Sequence, residues 1–576
     1  METYGLNDEQ LKAIRAPSPV VCFASAGAGK TRTLIAKISS LLDAGTSPGS
    51  ILGITFTNKA ANEMKSRLKG RYPNLAGMQI STIHSMCVRI IRTFIQHTPL
   101  KHPFTIYDDG DQYTVMKTVL KARKRTDDIW GTLSIISRAK SDGIDTLPSE
   151  YDEIYKAYQD ILKTNNACDF DDLLIYAADC VKKEDCKRFF QNTWRHILVD
   201  EFQDTSNIQY SIILALFDPQ ITQTMFAVGD ENQSIYAWRG ARPDNMQDFI
   251  DRYKPSLCHL TYNYRSGSSI IKHANSFLQF GKEMVAKTAS TGMVGTSVFS
   301  TQEDEAGYIG DAILKMGNFE NTAILYRINA RSINFEKAFA ARRIPYKVIG
   351  DIPFYRRKVV KNLLAYCKAA VNRSDIESLT RIVNVPKRGF GEVKQERLLK
   401  EGWAFLNEYA SESNEISDFI SLLNDIRSKP PAEAIGEILT RTHFQATLEK
   451  ESDGSMVEAL INVSSAFKDI NELILASTFL EEDSGKGVKL MTAHASKGLE
   501  FDRVFVVGVE DGIWPHKMSA DLAEEERLYY VAVTRARQWL NISYARSKMN
   551  RGAALPVAPS NLFMRSAELT KSHSTR

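Results

Sequence analysis

Short apolar runs rich in β-branched residues recur along the chain, each followed by a glycine-rich or polar turn and then by residues at helical spacing. The first set is VVCFA (20–24), ILGITF (51–56), HILVD (196–200) and MFAVGD (225–230). Runs of this kind predict strands buried on both faces of a parallel sheet. A second set follows at TAILYR (322–327), VKLMTA (488–493), DRVFVVGV (502–509) and LNISYA (540–545), so two α/β cores are implied. Two long stretches, roughly 87–190 and 365–485, carry almost no strand signal and place Lys, Glu, Leu and Ala at helical spacing. They read as helical domains inserted into the two cores. No Gly/Ser linker, low-complexity tract or short repeat stands out, and the four units are interleaved rather than strung in a row.

Composition adds bounds rather than chemistry. The 576 residues predict about four compact units at roughly 150 residues per domain, each long enough to bury its own core. Hydrophobic residues make up 43% and charged residues 25%, and 73 Lys+Arg against 69 Asp+Glu leave a net charge of +4. That is ordinary globular composition, and so weak a field does not by itself argue for nucleic acid. The seven cysteines are odd in number, widely spread and without a CxxC pair. They predict buried thiols in a reducing compartment and no disulfide framework, zinc site or iron–sulfur site. No run of about 18 apolar residues exists, and METYGLNDEQ has neither a basic start nor an apolar stretch. A membrane span and a secretory signal are therefore not expected, and the cytoplasm is the default location.

Chemistry enters at the segment Ala24, Ser25, Ala26, Gly27, Ala28, Gly29, Lys30, Thr31, which follows a buried strand and precedes TLIAKISSLL. In a phosphate-binding loop, glycines let backbone N–H groups curl round phosphate oxygens at a helix N-terminus. Lys30 adds charge there, and the Thr31 hydroxyl can hold Mg²⁺. Ala24 stands where the general pattern has Gly, a departure its small size should tolerate. HILVDEFQDT (196–205) then puts Asp200 and Glu201 at the carboxyl edge of the same kind of sheet. Asp200 can coordinate Mg²⁺, and Glu201 can polarise the attacking water. A strand-terminal acidic pair alone is as often a helix cap; downstream of a phosphate loop the catalytic reading prevails. Hydrolysis also needs positive charge at the γ-phosphate, for which Arg265 in LTYNYRS and Arg535 in YVAVTRARQ are candidates.

Further blocks extend this pattern over nearly the whole chain: TFTNKAANEMKSRL (55–68), STIHS (81–85), DFDDLL (169–174), VGDENQSIYAWRGA (228–241), AILYRINARS (323–332), NVPKRGFG (384–391), LMTAHASKGLEF (490–501) and EEERLYYVAVTRA (524–536). In these blocks and their order the sequence closely resembles the superfamily 1 DNA helicases of the UvrD/Rep/PcrA type. The resemblance implies an α/β fold of two RecA-like P-loop motor domains, parallel sheets flanked by helices, each with a mainly helical insert. The first motor domain would comprise 1–86 and 191–268 around an insert at 87–190, and the second 269–364 and 486–576 around an insert at 365–485. It also implies that Gln10 reads the adenine edge, Tyr264 stacks on adenine, Arg32 touches the nucleotide and Glu500 touches the ribose. Gln233 would sense the γ-phosphate, and Arg265 and Arg535 would stabilise its developing charge.

Nucleic acid needs aromatic faces for bases and donors for phosphates, and SIYAWRG interleaves Tyr236, Trp238 and Arg239 within four residues. Each base stack is worth roughly 1–3 kcal/mol and is indifferent to sequence. By the resemblance, Phe56, Thr57, Asn58, His84, Phe170, His494 and Lys497 complete a single-strand track. His84 and His494 have no other histidine at metal-ligand spacing, so no metal role is expected for them. The sequence also departs from the family. FYRRKVVKN (354–362) replaces a mixed-charge stretch with a basic one, carrying Arg356, Val359 and Asn362 where the family has acids. Firmer phosphate contact is one reading of that change, and a solvated basic face is the other. VGDENQ has Glu231 and Asn232 where two acids are frequent, a change expected to be neutral. The second helical insert looks shorter than the family's, and an extended C-terminal tail is missing, so docking of accessory proteins through such a tail is not expected.

The expected activity is ATP-dependent, Mg²⁺-requiring movement along single-stranded DNA and unwinding at single/double-strand junctions. ATP would lie in the cleft between the two cores, the 3′ to 5′ direction follows from the resemblance alone, and a monomer or weak oligomer without membrane contact is expected. A DNA-stimulated ATPase that strips proteins with little unwinding is the alternative. A small-molecule phosphotransferase would need neither SIYAWRG nor a second core, and no part of the chain is left over for a nuclease.

Overall fold

The computed structural model describes residues 5–142, 149–350, 357–444, 451–465, 467–479, 487–519, 521–550 and 553–574. They form two units, Met1–Gly292 with Ala520–Thr534, and Met293–Ser519 with Arg535–Arg576.

The first unit is built on a sheet of six strands in the order Gln79–Thr82, Ile51–Thr55, His196–Val199, Thr224–Gly229, Val20–Ala24, Ser256–Leu260. Every pairing in it is parallel. Because side chains alternate across a strand, each apolar run feeds two cores. Val20, Cys22, Leu198, Phe226 and Val228 pack with Leu34, Ile38, Met64 and Leu68 of helices Lys30–Asp43 and Asn58–Lys69. Val21, Ile197, Val199, Met225 and Ala227 pack on the opposite face with residues from helices Ile83–Thr93, Phe170–Val181, Asn207–Leu216 and Asp244–Tyr253. Helices Asp109–Ala122, Ile129–Asp142 and Ser149–Thr164 carry a separate small core around Met116, Leu120, Ile136 and Tyr158.

The second unit repeats the plan. Its sheet runs Met293–Thr301, Ala536–Asn550, Phe501–Val506, Thr322–Tyr326, Val488–Thr492, Tyr346–Ile349, parallel along that path, with Ala553–Pro556 added antiparallel to Ala536–Asn550. The described residues between Lys358 and Phe479 form helices without strands and bury their own core, in which Leu363, Tyr366, Leu379, Phe390, Leu406, Phe419, Ile435 and Leu460 take part.

All eight strands expected from apolar runs form. Five further strands of the two sheets, Gln79–Thr82, Ser256–Leu260, Met293–Thr301, Tyr346–Ile349 and Ala553–Pro556, carry no such signal. Met293–Thr301 is half-buried at best and Ser256–Leu260 mixes exposed and buried positions, as edge strands do. Boundaries differ as well. The expected divisions at 86/87, 190/191 and 364/365 fall inside helices Ile83–Thr93, Glu184–Thr193 and Lys358–Val371. The apolar stripe of each continues across the division, so no turn residue marks an end. Helix Leu522–Val533, expected in the second core, belongs to the first unit because it packs on the turn Glu231–Gln233 and on helix Ser268–Asn275. The end of the second insert, 480–485, lies outside the described residues. No described helix is long and apolar enough to cross a membrane, and the seven cysteines are buried free thiols.

Candidate functional site

Strand Val20–Ala24 ends deep in the sheet, and the chain turns through 25–29 into helix Lys30–Asp43. Ala24 sits in regular ladder register opposite Leu260, so this position needs no glycine. Gly27 and Gly29 do need to be glycine, with φ of +68° and +84°. A Cβ on Gly27 would lie 2.6 Å from Asn263 Nδ2, and one on Gly29 would lie 2.7 Å from Gln10 Nε2. Gly29 leaves the helix N-terminus without a side-chain cap, and Lys30 and Thr31 are its first two residues. Exposed N–H groups and the positive helix end there suit an anion.

The surrounding side chains brace this loop. Gln10 is buried, and its amide is committed at both ends: Nε2 donates to Ala28 O at 2.9 Å and Oε1 accepts from Asn7 N at 3.2 Å. Asn7 Nδ2 donates to the hydroxyl of Tyr264 at 2.6 Å, while the Tyr264 ring stays half exposed. Arg32 donates to Gly5 O at 2.6 Å. Asn263, fully buried, donates to Ala26 O at 2.6 Å and accepts from the N–H groups of Arg265 and Ser266 at 2.9 and 2.8 Å. The Arg265 guanidinium reaches Thr534 O at 3.3 Å.

Strand His196–Val199 delivers two carboxylates beside the loop. Asp200 is buried, with its N–H on Ile54 O and its Oδ1 accepting from Glu201 N at 3.1 Å. Glu201 adopts φ +51°, a left-handed backbone that costs a non-glycine residue of order 1–3 kcal/mol and often marks function. Its Oε1 lies 3.8 Å from Lys30 Nζ. The hydroxyl of Thr31 and the carboxylate of Asp200 are hard oxygen donors of the kind Mg²⁺ takes, so the donor set fits that ion. One strand over, Asp230 is buried and accepts from the Gln233 amide. Burial pushes its carboxyl above the usual range, against the pull of the Lys30 charge.

The segment after Gln233 carries the aromatic residues. Tyr236 stacks on Phe56 with centroids 5.1 Å apart and 14° between planes, and Trp238 stands 6.4 Å from Tyr236 with 60% of its surface exposed. Folded proteins mostly bury such rings, and exposed Phe56 and Trp238 on either side of half-buried Tyr236 suit base stacking. Thr57 caps helix Asn58–Lys69 by accepting from Ala60 N, and exposed Asn58 opens that helix. His84 meets Phe170 edge-on at 5.9 Å, and burial lowers its pKa, which favours the neutral imidazole. The Arg239 side chain lies outside the described residues. Helix Leu522–Val533 clamps the segment: Arg527 Nε donates to Ser234 O at 2.8 Å, and Ala237 N donates to Glu524 Oε1 at 2.9 Å.

Four expected site residues belong to the second unit. Arg535 is buried and donates to Leu499 O at 3.2 Å, and Glu500 pairs with Arg537. His494 opens the turn His494–Ser496, and half-buried Lys497 follows it. Of the departing segment 354–362, Arg356 lies outside the described residues. Val359 is part of the helical core and Asn362 accepts from Arg381 at 2.9 Å, so neither replacement adds to a basic surface.

Sequence reasoning passed over Asn263, Gln203, Asp230, Glu524 and Arg527. Each lies inside a quoted block, but a neutral amide, or a charged residue within a helical pattern, looks like ordinary surface until its partners are seen.

Two family models and a set of relatives match this chain over most of its length. The model of the UvrD/REP helicase N-terminal domain matches residues 6–254, and that of the UvrD-like helicase C-terminal domain matches 258–429 and 404–547. The ATP-dependent DNA helicase PcrA of Staphylococcus epidermidis (strain RP62A) is 33% identical over 630 residues, covering 97% of this chain and 86% of that protein. The ATP-dependent DNA helicase PcrA of Staphylococcus aureus (strain MRSA252) is 33% identical over 645 residues, covering 99% of this chain and 87% of that protein.

Proposed function

We propose, from the premise that this chain belongs to the UvrD/REP helicase family and is an ATP-dependent DNA helicase, that it moves 3′ to 5′ on single-stranded DNA and opens duplex at junctions during repair, recombination or replication. The observation that carries the reading is the joining of two chemistries in one unit. Lys30 and Glu201 lie 3.8 Å apart at the glycine loop. Five residues after Gln233, the same chain presents the exposed Trp238 beside the Phe56–Tyr236 stack.

In this reading the loop 24–29 and the helix N-terminus hold the phosphates, Lys30 neutralises their charge, and Glu201 takes the proton of the attacking water. Thr31 and Asp200 would hold Mg²⁺, which when bound neutralises phosphate charge and orients the γ-phosphoryl group. Arg265 and Arg535 serve the developing negative charge, Tyr264 stacks on adenine, and Gln10, Arg32 and Glu500 complete nucleotide recognition. Gln233 reads the γ-phosphate and passes its state to the neighbouring 234–239 segment. Phe56, Thr57, Asn58, His84, Phe170, Tyr236, Trp238, Arg239, His494 and Lys497 form the strand track. Opening a base pair step costs about 1.4 kcal/mol on average, which one ATP can cover.

The test is strand displacement from duplexes carrying a single-stranded tail at either the 3′ or the 5′ end, run beside a translocation assay. Displacement that requires the 3′ tail is expected. Preference for the 5′ tail would overturn the polarity, and translocation without displacement would replace the unwinding reading with that of a protein-stripping motor.

A further inference from the structure

Gln203 occupies a position that the phosphate chemistry does not explain but the geometry does. It lies two residues beyond Glu201, in the turn Phe202–Asp204, and no part of it is exposed. Its Nε2 donates to Glu201 Oε2 at 2.7 Å and, at 3.4 Å, to Asp204 Oδ2. Its Oε1 accepts from Asp230 N at 2.9 Å. The orientation of the amide is fixed by chemistry: reversed, its oxygen would face two carboxylates and its NH₂ would face an N–H donor.

The bridge is also sterically closed. A Cβ on Gly229 would fall 2.6 Å from Gln203 Oε1, so glycine at 229 is what lets the amide lie against the neighbouring strand end. Strands His196–Val199 and Thr224–Gly229 are adjacent and parallel, and Gln203 ties their carboxyl ends together. Beyond it, the Asp230 carboxylate accepts from Gln233. A continuous chain of side chains and one backbone N–H thus runs from Glu201 through Gln203 and Asp230 to Gln233.

We propose that Gln203 is a positioning residue for ATP hydrolysis: it holds the Glu201 carboxylate in place and fixes it relative to the Asp230–Gln233 turn. The proposal rests on the reading that Glu201 activates the attacking water. Glutamine suits this place because one amide supplies both the donor to Glu201 and the acceptor for Asp230 N–H. Glutamate would set a third carboxylate against Glu201 and Asp204, and an apolar residue would leave both Glu201 Oε2 and the Asp230 N–H without this partner.

The experiment is a double-mutant cycle on the full chain, with Gln203→Met, Glu201→Gln and the pair, reading DNA-stimulated kcat, KM for ATP and affinity for an oligothymidylate. Gln203→Met is expected to lower kcat by roughly 10- to 100-fold while KM and oligonucleotide affinity stay within about twofold. In the Glu201→Gln background the same substitution is expected to cost less than about twofold, because a residue acting through Glu201 has nothing left to position. Equal losses in both backgrounds, or no loss in the wild type, would overturn the proposal. Should Gln203→Met lose oligonucleotide binding through misfolding, Gln203→Glu decides, since it keeps the acceptor for Asp230 N–H and replaces the donor to Glu201 with a charge that repels it. It is expected to show the same kcat loss, and normal kcat there would also overturn the proposal. Full turnover in Glu201→Gln alone would instead sink the water-activation reading itself, and the proposal with it.

Discussion

At Gly27 one methyl group would decide whether the phosphate loop can close. The residue sits at φ +68°, and an added Cβ would meet Asn263 Nδ2 at 2.6 Å and Arg265 Cβ at 2.9 Å. Gly27→Ala therefore brings both backbone strain and a clash with a buried amide that holds Ala26. The expected cost is about 1–3 kcal/mol, read as a 10- to 100-fold rise in the Kd for a non-hydrolysable ATP analogue, with thermal stability lowered by a few degrees. An unchanged Kd would mean the loop is not the phosphate site. Lys30, Thr31, Asp200 and Glu201 were legible in the sequence because a glycine loop between a buried strand and a helix, followed by an acidic pair at the end of a second strand, forms a pattern in which each part supports the other. Asn263 and Gln203 were not, because a neutral amide reveals its role only through its partners in the fold, Ala26 for Asn263 and both Glu201 and Asp230 for Gln203.

Among the elements, helix Phe170–Val181 shows how a sequence block serves two purposes. Asp169 caps the helix in a reciprocal arrangement with Asp172. Both carboxylates also hold the buried Lys140 ammonium at 2.6 and 2.7 Å, and Tyr158 donates to Asp169. Burial opposes the Lys140 charge, yet the paired carboxylates keep its pKa above the ordinary value. Asp171 is left as the third acid of the cluster, and burial first and the Asp169 charge second push its pKa to about 6, against the Ser137 hydrogen bond and the Lys140 charge. Its folded pKa thus exceeds the unfolded value near 3.9. The stability this proton contributes is full below about pH 4 and is lost as pH rises through 6. Asp171→Asn should match the wild-type melting temperature at pH 4 and exceed it at pH 7.5, by differential scanning fluorimetry. An equal difference at both pH values would contradict the assignment. The strands that apolar runs did not reveal lie at sheet edges, Met293–Thr301 and Tyr346–Ile349 among them, and are only partly buried, so their sequences never needed a continuous apolar run.

On the scale of the whole molecule, two parallel sheets each carry a helical insert, and the chain returns one helix, Leu522–Val533, to the first unit. The two-core plan was legible because both sheets put strands buried on both faces at their centres. The return of that helix was not, because Arg527 and Glu524 read as solvent charges until Ser234 and Ala237 are seen beside them. The central claim is that ATP turnover at Lys30 is coupled to single-stranded DNA. It is tested most directly by measuring ATP hydrolysis with and without an oligonucleotide for the wild type and for Lys30→Ala. The account predicts strong stimulation by DNA in the wild type and a fall of roughly a hundredfold or more in the variant. Turnover indifferent to DNA, or undiminished in Lys30→Ala, would contradict it.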